Sequence, residues 1–325
     1  MQRREFIALL GSGVVAWPSA LHAQTSPTAT IGYLSSKDER SETGIIAGVR
    51  KGLAEQSLTE GQNLSILYRW SGGEYGRLPE LAADLVARKV DVIAASGLPA
   101  ALAARLASST IPIVFRLAVD PTRFGLAQSF DHPGGNITGV TMLFDPLTPK
   151  KLQLLHELVP APSIGLLVNP NNPNASSHRE HAETAASALG LRLIVLGAGT
   201  PDAIDPAFAA AQQQGIGACL VGDDPLFDVE TSRLVAAAAR TRIPTMYYVG
   251  DFVVAGGLFS YGPNFTEMAT QVGTYIGRIL KGARAGDLPI QQPTKFELVF
   301  NTTTARTLGL TIPPTLLARA DRVIE

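Results

Sequence analysis

The residues of this chain that could do chemistry fall into three sets, and two of them fail on spacing. Leu258-Phe259-Ser260-Tyr261-Gly262 comes near the Gly-x-Ser-x-Gly turn that exposes a nucleophilic serine. Leucine, however, stands where the first glycine must permit the strained backbone. His178 and His181 lie three apart on a helical pattern, close enough to share a metal, but no third ligand is near them in sequence. They read as a solvated helix face. His132 and His156 stand alone. Cys219 is the single cysteine, so no internal disulfide can form, and its apolar surroundings (216–222) read as a buried strand with a plain thiol. Gly11-Ser12-Gly13 is no dinucleotide cradle, and no phosphate-binding loop is present. No catalytic residue, metal or cofactor is therefore expected.

The third set holds polar and aromatic residues that follow short apolar runs. In the first half these are Ser35 and Ser36 just after Tyr33, then Ser96 and Gly97, then Asp120 after Val114-Phe115-Arg116-Leu117-Ala118-Val119. In the second half they are Asn169 and Asn171, then Asp223 and Asp224 with Phe227 close behind, then Tyr247 and Tyr248. Hydroxyls and free backbone N–H groups at a helix start suit a carboxylate. Asp120, Asp223 or Asp224 could face an ammonium group, and Tyr33, Phe227, Tyr247 and Tyr248 could supply apolar walls. That mixture suits a small zwitterion such as an amino acid, with Ser96 and Gly97 at its anionic end and Asp223 or Asp224 at its cationic end. Plainer roles compete. Ser96 and Gly97 fit a turn, Asp223-Asp224-Pro225 fits a helix cap, and 169–175 is a strong turn signal in which Asn174 or Ser176 caps the next helix. Tyr247 and Tyr248 point to opposite sides of a strand, so one of them belongs to the core.

The elements that must position these residues alternate. Runs rich in β-branched residues at 29–35, 63–70, 90–96 and 111–115 are separated by helical patterns near 42–56, 77–88 and 100–107. After a Gly/Pro-rich passage at 131–139 the scheme restarts, with strands at 163–169, 191–197, 216–222 and 243–249 and helices near 176–189, 206–214 and 229–239. Such alternation predicts parallel sheets flanked by helices. Residues 90–115 and 216–248 share one plan: a buried strand, a turn with glycine or proline, an Ala-rich helix, then Ile-Pro opening the next strand. Two similarly built lobes follow from that repetition, and open parallel sheets take ligands outside the carboxyl ends of their strands. A third section, with a helix near 266–281 ended by Gly282, a strand near 295–301 and a helix near 303–308, comes after both lobes.

The N-terminus addresses the compartment. Arg3 and Arg4 precede an uncharged run from Phe6 to Leu21, which ends in Leu21-His22-Ala23. That order reads as a cleaved twin-arginine export signal over 1–23, too short to be a membrane span. Its removal leaves about 300 residues, two domains at roughly 150 each, and makes the net charge of −1 one unit more negative. A near-neutral balance excludes a nucleic-acid or anionic-membrane partner of the usual basic kind. An exported two-lobe chain without catalytic groups implies a binding role.

Residues 109–141 (STIPIVFRLAVDPTRFGLAQSFDHPGGNITGVT) resemble the hallmark segment of an ABC-transporter substrate-binding family related to tryptophan- and tyrosine-binding periplasmic proteins. Residues 168–175, 256–265 and 297–325 match it too, so the resemblance spans nearly the whole mature chain. It implies an α/β fold of the type I periplasmic-binding-protein kind, with two doubly wound parallel-sheet lobes joined by a hinge. The expected division is lobe I over 28–140 and 256–290, and lobe II over 141–255 and 291–325. The resemblance implies a periplasmic receptor that closes over a small molecule and hands it to an inner-membrane ABC permease. A monomer is expected. Members similar to this chain bind aromatic amino acids through a helix-start serine or threonine; Ser96 and Gly97 occupy that strand end, with Leu98-Pro99 where a small polar pair is expected. A sensory receptor of the same fold and an exported α/β enzyme are the alternatives, the enzyme opposed by the missing catalytic cluster.

Overall fold

The alternating apolar runs close into two sheets. In the computed structural model, which describes residues 28–325, the first sheet holds β1 (Ala29–Ser35), β2 (Leu64–Trp70), β3 (Val92–Ser96), β4 (Ile113–Leu117) and β5 (Ile137–Thr141). All its pairs are parallel, in the order β2-β1-β3-β4-β5. Helices α1 (Glu39–Ala54), α2 (Leu78–Ala87) and α3 (Leu98–Ala107) connect the first four strands. The export-signal reading of 1–23 lies outside the described residues.

The chain then enters α4 (Thr148–Leu158), β6 (Ser163–Val168), α5 (Ala175–Ala188), β7 (Arg192–Gly197), α6 (Ile204–Gln213) and β8 (Ala218–Val221). Next come α7 (Pro225–Val229), α8 (Thr231–Thr241), β9 (Thr245–Tyr247), α9 (Gly250–Val254) and β10 (Phe259–Pro263). The helix expected near 229–239 is α8, and the short α7 precedes it, the two meeting at Glu230. The helix α10 (Phe265–Leu280) returns to the first lobe. Afterwards β11 (Phe296–Asn301), α11 (Thr302–Leu308), α12 (Pro314–Leu317) and β12 (Arg322–Ile324) finish the second. The second sheet runs β12-β11-β10-β9-β8-β6-β7, with β10 and β11 antiparallel and the other pairs parallel.

This pairing corrects one boundary. Residues 256–263 were expected in lobe I, but β10 pairs with β9 and β11, so the crossing back to lobe I occurs at Asn264. There Asn264 caps α10, its side chain accepting from the Thr266 N–H at 3.0 Å. Short β-propensity runs near a hinge carry no mark of which sheet they join, and partner strands decide.

The docking of α10 is set by small residues. A Cβ added at Gly52 would lie 1.9 Å from the Thr270 carbonyl oxygen, and one at Gly273 would lie 2.1 Å from that of Val49. The helices α1 and α10 therefore touch backbone to backbone, which only glycine permits. Among the described residues no helix is long and apolar enough to cross a membrane. Cys219 is fully buried in β8, and burial pushes its thiol up to about 12.

In each sheet the strand order reverses direction once, between β1 and β3 and between β6 and β8. At such a switch point the loops leave to opposite faces and open a crevice at the carboxyl edge. Ser35, Ser36, Ser96 and Gly97 stand at the first crevice, and Asn169, Asp223 and Asp224 at the second.

Candidate functional site

A cavity between the two crevices holds about 460 Å³ of atom-free space, part of it open to solvent. From lobe I it is lined by Gly97, by Arg116 on β4 and by Lys37 ahead of α1. From the second lobe come Asn174 at the start of α5 and Asp223, Asp224 and Asp228 after β8. Met142, Phe144, Tyr248 and Phe265 supply apolar walls.

On the lobe I side the chemistry centres on a carboxylate that sequence reading missed. Glu42 is fully buried. It accepts hydrogen bonds from the Tyr33 hydroxyl, from Ser96 Oγ at 3.0 Å and from Arg116 Nη2 at 3.2 Å, and the Lys37 ammonium lies 3.3 Å away. Burial pushes its pKa up, but Lys37, Arg116 and the two hydroxyls outweigh burial and hold it below the ordinary value. The Tyr33 hydroxyl is driven well above its usual range by burial and by Glu42. Arg116 Nη2 also donates to Ser96 Oγ at 2.8 Å, while its Nε, buried at the cavity, has no partner among the described residues. The Phe265 ring lies 5.1 Å from the Arg116 guanidinium carbon.

In the second lobe Asp224 is saturated. Its carboxylate accepts from Leu226 N–H (2.8 Å), Asn169 Nδ2 (3.0 Å) and Asn172 Nδ2 (2.6 Å), and across the cleft from the Tyr75 hydroxyl (2.8 Å). Burial raises its pKa to about 6, with the amides and the hydroxyl pulling the other way. Asp223 faces the cavity with His178 Nε2 at 2.8 Å, and His178 Nε2 also lies 3.5 Å from Asp145 Oδ1. Burial would discharge that imidazole, yet Asp223 and Asp145 hold its pKa above the ordinary value. Lys151 is buried with its ammonium 4.2 Å from the Phe144 ring centroid. Burial drops it to about 8, a shift only partly offset by Asp223 and Asp145. Asn174 is 1% exposed, and neither its amide nitrogen nor its amide oxygen has a partner among the described residues.

The lobes are clasped. Besides Tyr75–Asp224, Lys37 Nζ reaches Asp228 Oδ2 at 2.8 Å, and Arg123 Nη1 donates to Ser177 Oγ at 2.8 Å. These contacts describe a closed cleft.

Measured against this geometry, Gly97, Asp223, Asp224 and Tyr248 line the cavity, and the remaining sequence candidates do other work. Ser96 is committed to Glu42 and Arg116, so it is not an open carboxylate receptor. Ser35 Oγ accepts from the Lys37 N–H, and Ser36 Oγ caps α3 at the Ala100 N–H. Asp120 caps the turn after it through Thr122. Asn171 bonds the Gly199 carbonyl at the surface, and Asn169 braces Asp224. Tyr33 and Phe227 are core residues, as is Tyr247, which stacks on Phe252 at 4.8 Å. His178, read as solvated, is instead buried because Asp145 and Asp223 flank it. Among the described residues no group of three or more His, Cys, Asp or Glu side chains is arranged to hold a metal ion.

The sequence model of the family described as "ABC transporter substrate binding protein" matches residues 36–324. The chain belongs to that family. It is 25% identical over 272 residues to the tyrosine-binding protein of Clostridioides difficile, covering 81% of this chain and 76% of that one. The crystal structure of a conserved domain protein from Vibrio cholerae superposes with a TM-score of 0.86 at 28% identity, covering 91% of this chain and 99% of that one. An ABC domain from Streptococcus pneumonia in complex with L-Trp gives 0.84 at 25%, covering 91% and 100%. The fold is thus of the type I periplasmic-binding-protein kind.

Proposed function

We propose that the protein is the exported solute receptor of an ABC importer and that its solute is an amino acid with an aromatic side chain. The observation that carries this reading is the pair of unsatisfied groups in one cavity. Arg116 lines that cavity from one lobe and Asn174 from the other, and the Arg116 Nε and the Asn174 amide are buried without a partner among the described residues. Buried polar atoms are almost always hydrogen-bonded, so two unsatisfied groups on the lining of one cavity suit a polar ligand.

A zwitterion satisfies both ends. Its carboxylate would take the Arg116 Nε–H and an Asn174 N–H, and its ammonium would face Asp223 and the Asn174 oxygen. Phe144, Phe265, Tyr248 and Met142 would sandwich a ring. In and around the cavity Lys37, Arg116, His178 and Lys151 stand with Glu42, Asp223, Asp224, Asp228 and Asp145. Groups of both signs suit a solute that itself carries both. The tyrosine- and L-Trp-binding relatives support the same choice. Closure over the solute is driven by contacts made to both lobes at once.

A thermal-shift screen of the twenty amino acids, of small carboxylates and dicarboxylates and of sugars, followed by calorimetry, tests the proposal. L-Tyrosine, L-tryptophan or L-phenylalanine is expected to raise the melting temperature through native-state binding. Stabilisation by sugars or dicarboxylates alone would refute it.

A further inference from the structure

The cavity does not end in solid core. Beyond Lys37, Asp228 and Phe265 lies a second space of about 1430 Å³, part of it open to solvent, and these three residues line both. The second space is polar, bordered by Arg40, Ser41, Thr231, Asp251 and Arg322. One ion pair and one aromatic ring therefore stand between a smaller space and a larger, more polar one.

The partition is fixed on both sides. Lys37 Nζ meets Asp228 Oδ2 at 2.8 Å, with the two side chains only 5% and 14% exposed. Behind Lys37 stands Glu42, 3.3 Å from the ammonium, and the Phe265 ring centroid is 5.6 Å away. Behind Asp228, the Tyr248 hydroxyl donates to Oδ1 at 2.7 Å. Lys37 belongs to the first lobe and Asp228 to the second, so the wall exists only when the lobes have shut. A solute projecting past it would hold the ion pair apart and keep the cleft open.

We propose that the Lys37–Asp228 pair is a length filter, admitting a single amino acid and rejecting the same residue extended through its amino or carboxyl group. The inference rests on the amino-acid reading above. One added residue lengthens the solute by about 3.5 Å, more than the 2.8 Å between the paired atoms, so an extension directed at the pair parts it. Breaking a buried pair is costly because each charge is left without its partner. Selection thus operates at closure: an extended solute meets one lobe and fails to bring in the other.

The test is calorimetry with free L-tyrosine, L-tryptophan and L-phenylalanine against their glycyl dipeptides in both orders. The native protein is expected to bind at least one free amino acid about 100-fold or more tightly than its dipeptides. The Lys37→Ala/Asp228→Ala double variant should narrow that ratio to about tenfold or less, because the two chambers merge. Asp228→Asn, which keeps the volume and drops the charge, is the second variant should the double one not fold; it should narrow the ratio part-way. Equal binding of free and extended compounds by the native protein overturns the filter, as does a folded variant that keeps the full preference. Failure of every free amino acid to bind overturns the amino-acid reading, and the filter with it.

Discussion

Replacing Asn174 with alanine should separate a ligand contact from a structural one. Asn174 is 1% exposed, and its side-chain amide makes no hydrogen bond among the described residues, although its backbone N–H donates to Asn172 Oδ1 at 2.9 Å. Burying an unpaired amide costs about 1–3 kcal/mol, so Asn174→Ala removes a penalty from the empty closed form rather than a support. The unliganded melting temperature should stay level or rise by a few degrees, at about 2–4 °C per kcal/mol for a domain of this size. A bound zwitterion, by contrast, loses two hydrogen bonds to charged groups, together worth about 3 kcal/mol at the lower end of their usual range. The dissociation constant should then rise about 100-fold. Calorimetry with the best amino acid from the screen gives the affinity, and a thermal melt of the same samples without solute gives the stability. A variant that melts lower without solute, or one that binds as tightly as the native protein, would show that Asn174 is a structural cap and that the cavity argument fails.

Three further outcomes are expected. Tyr75→Phe deletes one of four donors to Asp224, the one that crosses the cleft, and should weaken solute affinity about 5- to 30-fold (roughly 1–2 kcal/mol) by calorimetry. Gly52→Ala drives a methyl into the Thr270 carbonyl, so thermal melts should fall by about 5–10 °C, corresponding to overpacking of roughly 1–3 kcal/mol or somewhat more. Lys151 concerns pH. Its folded pKa of about 8 lies below the unfolded value of 10.5, so the unfolded chain binds more protons between them and stability should climb as pH rises from 8 toward 10.5. Lys151→Met should flatten that climb in urea titrations and raise stability at pH 7.

How much of this was legible beforehand depends on range. Strand ends are local features: a buried β-run stops where its apolar residues stop, and the residue after it must stand at the sheet's edge. That is why Gly97, Asp223 and Asp224 could be placed at the cleft. Arg116 carried a readable signal, since a lone charge inside Ile113–Leu117, otherwise apolar, has to meet a partner or a ligand. Asn174 was passed over because 169–175 reads so strongly as a turn; it does start α5, but its side chain does not cap it. Lys37, Glu42 and Asp228 gave no signal, because each looks like an ordinary polar position near a helix start.

The sequence by itself determined two α/β lobes and their strand ends, both of which follow from the periodicity of neighbours along the chain. Tertiary structure alone decided which polar groups are spent on one another and which are left over. Ser96 was consumed by Glu42 and Arg116, and Asp224 by Asn169, Asn172 and Tyr75, while the Asn174 amide has no partner among the described residues. Hydrogen bonds and ion pairs act over about 3 Å in space, not over any fixed spacing in sequence, and only closure of the lobes brings Lys37 to Asp228.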